Sequence, residues 1–71
     1  MKITGRVVFR DLEGGVWVLE GDDGRTYQLA GGDRKIKKDG QRVEVQGDVA
    51  RDVMTAAMVG PVFNVATYRF I

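Results

Sequence analysis

From Lys2 to Arg10, Ile3, Gly5, Val7 and Phe9 alternate with Lys2, Thr4, Arg6 and Arg10, the period of two that a strand with one buried face requires. Val8 alone breaks the alternation. Asp11-Leu12-Glu13-Gly14-Gly15 supplies turn chemistry, because paired glycines adopt positive φ without steric cost. Val16-Trp17-Val18-Leu19 before Glu20 is apolar on both faces, which suits a central strand covered on both sides. Asp22-Asp23-Gly24 predicts a tight hairpin turn, and a third strand follows over Arg25 to Leu29 with Tyr27 and Leu29 facing inward. Ala30-Gly31-Gly32-Asp33 ends it. Arg34 to Lys38 is long enough for one helical turn, capped by Asp33. After Asp39-Gly40, Val43, Val45, Gly47 and Val49 alternate with Arg42, Glu44, Gln46 and Asp48. Ala50-Arg51-Asp52 turns the chain, Val53 to Gly60 reads as a strand with Met54, Ala56 and Met58 on one face, and Pro61 stands before a last extended stretch, Val62 to Ile71.

Short strands at even spacing, with a brief helical turn between the third and fourth, predict an all-β domain: a five- or six-stranded OB-like barrel, with an SH3-like barrel as the alternative. Residues 1–71 read as one domain. Ile3, Val7, Phe9, Leu19, Tyr27, Leu29, Val43 and Val45 hold the inward phase and are the expected core.

Composition removes several function classes. Among 71 residues there is no cysteine and no histidine, so disulfides and ordinary zinc, haem or iron–sulfur ligation are excluded, and no cofactor or metal is expected. Serine is absent too, so nucleophilic catalysis has no candidate beyond threonines without a base. Gly14-Gly15 and Gly31-Gly32 lack the spacing and the following helix of a phosphate loop. No apolar run reaches the roughly 18 residues of a membrane span. With no disulfide framework, cytoplasm is the expected compartment. A net charge of +1 names no partner.

Gly5-Arg6-Val7-Val8-Phe9-Arg10-Asp11-Leu12-Glu13-Gly14-Gly15-Val16-Trp17, continued by Gly21-Asp22-Asp23-Gly24 and Tyr27, resembles a family of small uncharacterised prokaryotic domains with the pattern D-L-E-G-G-x-W…D-D-G-x-x-Y. The likeness extends more loosely to Asp39-Gly40, Val43 to Gly47 and Met58-x-Gly60. It implies a compact OB-type barrel and no chemistry. Where that family often carries His-Met-Trp-Gly, this chain reads Ala57-Met58-Val59-Gly60.

Three constellations remain. Asp11, Glu13, Glu20, Asp22 and Asp23 lie in one stretch with no base among them. Paired acids serve hard cations and glycosidases, but aspartates also sit in turns because they bond nearby backbone N–H groups, and the spacing of a calcium loop is missing. Arg34, Lys35, Lys37, Lys38 and Arg42 form a basic cluster able to hold phosphates, or a solvated turn that keeps the domain soluble. OB-type readers of single strands pair such cations with exposed aromatics. The candidates here are Phe9, Trp17, Tyr27, Phe63, Tyr68 and Phe70; phase assigns Phe9 and Tyr27 to the core and leans Trp17 the same way. Last, Val62, Phe63, Val65, Tyr68, Phe70 and Ile71 crowd the final strand. Strict alternation puts Phe63, Val65 and Ile71 on one face and Val62, Tyr68 and Phe70 on the other. That points to a homodimer through Phe63, Val65, Tyr68, Phe70 and Ile71, or to closure of the barrel by this strand against Met1 to Arg10.

The expected function is a non-enzymatic binding or interaction module, with weak single-stranded nucleic-acid binding through the basic cluster as the alternative. About four or five neutralised phosphates would give a salt slope near −4.

Overall fold

A computed structural model describes residues 1–12, 14–31, 34–50 and 60–71. The strands are β1 (Lys2–Arg10), β2 (Val16–Gly21), β3 (Thr26–Gly31), β4 (Arg42–Ala50) and β5 (Val62–Phe70), with one turn of 3-10 helix at Arg34–Ile36 before β4. They close into a barrel in the order β1-β2-β3-β5-β4, β4 returning to β1. This is the small, closed five-stranded all-β barrel expected of the pattern. The expected strand over Val53 to Gly60, with Met54, Ala56 and Met58, falls almost wholly outside the described residues, as do Glu13 and the capping Asp33. No described helix is long and apolar enough to cross a membrane.

The final strand enters the barrel in a place that periodicity does not reveal. Rather than pairing with β1, β5 runs parallel to β3, with Gln28 opposite Val62, and antiparallel to β4, with Val43 opposite Phe70. Its alternation also slips. Gly47 faces Val65 while Gln46 faces Thr67, so Ala66 is an extra residue on β5, and such a bulge reverses the phase of everything beyond it. Phe63 and Val65 point inward before the bulge. Tyr68 and Phe70, opposite Val45 and Val43, point inward after it, so the assignment of Tyr68 and Phe70 to the face opposite Phe63 is corrected.

The core comprises Ile3, Val7, Leu19, Tyr27, Ile36, Val43, Val45, Phe63 and Val65, with Trp17, Leu29, Val49 and Tyr68 packed against it. Tyr27 and Phe63 meet edge to face, ring centroids 5.9 Å apart. Ile36 is a core residue supplied by the short helical turn inside the basic cluster. β2 is apolar on both faces, as its run predicted. Val18 lies opposite Val8 on β1 and Gln28 on β3, and Gln28 opposite Val62. This row sits on the outer face, where Val18 and Val62 are nonetheless buried. Gln28 Oε1 is buried in it with no hydrogen-bond partner among the described residues.

One expected core residue is not in the core. Phe9 is 43% exposed. β4 covers β1 only from Lys2 to Arg6; beyond that, Val7 N–H donates to Gln41 O, Gly40 N–H to Val7 O, and Phe9 N–H to Asp39 Oδ1. Phe9 therefore stands past the closed section of the barrel, its ring beside Gly15 and edge to face with Trp17 at 5.2 Å.

Candidate functional site

Of the acidic stretch, Asp23 takes part in turn chemistry, and Glu20 and Asp22 form ion pairs. Asp23 Oδ1 accepts the Arg25 N–H at 2.9 Å, the bond expected of an aspartate two residues back in a turn, and Asp23 Oδ2 accepts the Tyr27 hydroxyl at 3.2 Å. Gly24, at φ 84°, takes the left-handed position of that turn. Glu20 accepts from Arg10 at 2.6 Å. Asp22 is gripped by both Nη atoms of Arg42, at 2.7 and 3.1 Å. No group of three acids stands together as a metal site among the described residues.

The same pairing takes Arg42 out of the basic cluster as a free cation. The hydrogen bond from Arg42, reinforced by its charge, holds the Asp22 carboxyl below its ordinary value of 3.8, and the carboxylate in turn pushes Arg42 up. A depressed carboxyl pKa contributes stability above the unfolded-state value and loses it as pH falls through the folded one. Arg42→Gln should therefore raise the Asp22 titration midpoint toward 3.8, read by carbon NMR of the carboxyl. An unchanged midpoint would mean that the fork does not persist in solution.

Arg34, Lys35, Lys37 and Lys38 are all exposed, on the segment that carries Ile36 into the core. Among the described residues, Arg34, Lys37 and Lys38 take part in no ion pair. Lys38 Nζ instead lies over the Phe70 ring, 4.9 Å from its centroid. Phe70 is 36% exposed and stacks edge to face with Tyr68 at 5.6 Å. Asp39, next in the chain, holds the Phe9 backbone, and the Ile71 N–H donates to Arg42 O. One end of the barrel thus gathers the cations with Phe9, Phe70 and Ile71 exposed, Trp17 half-buried beside Phe9, and the loop bearing exposed Leu12 adjacent.

Of the five residues expected at a homodimer face, Phe63 and Val65 are buried inside the barrel, Tyr68 is half-buried against the core, and Phe70 and Ile71 are exposed. Of the aromatic candidates, Tyr27 and Phe63 are enclosed. The exposed pair is Phe9 and Phe70, which the alternation alone placed elsewhere.

The family model described as "Protein of unknown function (DUF5818)" matches residues 4–62. The chain belongs to that family. The match runs from β1 through the first residue of β5 and takes in every exposed cation of the Arg34–Lys38 segment, while Phe70 lies past its end. No curated protein and no solved structure matches the chain.

Proposed function

We propose that the domain is a non-enzymatic binding module that holds single-stranded nucleic acid across the barrel end formed by Arg34 to Lys38, Phe70 and Phe9. The observation that carries this reading is the Lys38 ammonium over the exposed Phe70 ring, with further exposed cations on the same turn. Phosphate contacts supply affinity without regard to sequence, and an aromatic face accepts any base. OB-type barrels combine those two elements in binding single strands. A duplex buries its bases and offers the rings nothing to stack on, so the preference is for single strands.

With Arg42 committed to Asp22, the exposed cations of the segment without an ion pair among the described residues are Arg34, Lys37 and Lys38. At about 0.7 released counterions per phosphate of a single strand, three such contacts should make log K fall with log salt at a slope of about −2. Anisotropy of a labelled oligothymidylate at low salt reads this directly, and Lys37→Glu with Lys38→Glu should abolish the signal. Absence of binding by the unaltered chain at low salt, or binding indifferent to the double reversal, rejects the reading.

A second copy of the chain is the competing occupant of the same end, favoured by the exposure of Phe70 and Ile71. Sedimentation over a range of concentrations separates the two: self-association that oligothymidylate does not disturb would favour the homodimer.

A further inference from the structure

Resting on that reading, we infer that Lys38 and Phe70 form an exchange site: the ammonium occupies the face of the ring in the free domain, and an incoming base takes that face while the lysine transfers to the neighbouring phosphate. A base stacked on Phe70 needs the space over the ring centroid, and Nζ of Lys38 holds it at 4.9 Å. The ring is already engaged by Tyr68 edge to face, 66° between planes, so the place under the ammonium is the one to be vacated.

The geometry lets the side chain leave without disturbing the backbone. The Lys38 N–H donates to Ile36 O at 2.8 Å, and Ile36 is buried in the core, which fixes the root of the lysine. Its flexible four-carbon stem is exposed, and among the described residues its ammonium has no carboxylate to abandon. A cation–π contact at an exposed site is weaker than a base–aromatic stack, so an arriving base displaces the ammonium from the ring, and the freed ammonium settles on the phosphate beside that base. The exchange therefore runs toward the bound state only when the ligand carries a base. A bare sugar–phosphate strand is held by the other cations of the turn and leaves Lys38 over the ring.

The Lys38 ε-methylene protons read the exchange by NMR, because the ring current of Phe70 shifts them upfield of other lysines. Phe70→Leu should abolish that shift and mark the uncovered position. Titration with oligothymidylate should move the signals to the Phe70→Leu position, and an abasic strand of equal length should leave them in place. In parallel, anisotropy should show Phe70→Leu weakening oligothymidylate binding about tenfold, as expected for loss of one stack, with abasic binding unaffected. Saturation by oligothymidylate with the lysine signals unmoved would overturn the exchange and leave nucleic-acid binding standing. Equal movement with the abasic strand would overturn it too. No anisotropy change with either strand would remove both readings.

Discussion

A chain ending after Val65 should show no cooperative melting transition. The truncation keeps the Val62 to Val65 pairing with β3 and removes every β5 partner of Val43, Glu44, Val45 and Gln46. With them go Tyr68, packed on the core, and the ion pair of Arg69 with Glu44 at 3.2 Å. A 71-residue domain has a total stability of roughly 4–10 kcal/mol, and opening the seam bares the fully buried Val43 and Val45. Those two side chains alone are worth about 3–6 kcal/mol when buried. Far-UV circular dichroism on heating checks the result. A truncated chain that melts sharply near the temperature of the intact one would show that the barrel does not depend on this strand. Sedimentation of the two chains also addresses the homodimer, because a monomeric intact chain that unfolds on truncation has used the strand for closure.

Gly5→Ala should cost about 3 kcal/mol, the upper end of overpacking penalties, and lower the melting temperature by roughly 12–24 °C. Gly5 lies opposite Gly21 on β2 and Val43 on β4. A Cβ there would run into the carbonyl of Glu20 and come within 2.9 Å of the Gly21 Cα. Those are backbone atoms of a paired strand, so no side-chain rotation relieves the clash. Gly40→Asn is the matched control: at φ 84° with nothing within 4 Å of a Cβ, asparagine tolerates the backbone, and the change should stay within about 0.5 kcal/mol. Equal melting temperatures for the two variants would mean that β1 and β2 separate more readily than their register implies.

Much of this architecture is written in the alternation of single residues. The inward phase of Ile3, Val7, Leu19, Tyr27, Val43 and Val45, the two-faced β2, the Asp22 to Gly24 turn and the single helical turn before β4 all follow from local pattern. What escapes is what local pattern cannot encode. Period two says which face Phe9 is on, but not that β4 stops covering β1 at Arg6 and leaves that ring outside. It does not announce the extra residue at Ala66, and so it puts Tyr68 and Phe70 on the wrong face. A polar-looking run hides Ile36, whose burial depends on where the turn docks. The basic cluster was visible as composition, yet the removal of Arg42 by Asp22 and the seating of Lys38 on Phe70 are contacts between segments distant in sequence, set by strand order and register.

The insertion of β5 between β3 and β4 also governs what happens during synthesis. The other four strands are translated first, and until β5 follows them the facing edges of β3 and β4 are both bare. Closure then requires Gln28 to find Val62 across the intervening chain, a long-range parallel pairing of the kind that folds slowly. Each newly made molecule thus passes through an interval with two unpaired β edges, the state in which strands join neighbouring chains. Arg42, Glu44 and Asp48 place charge along the β4 edge during that interval, so these side chains guard the nascent polypeptide against its neighbours before they serve the finished barrel.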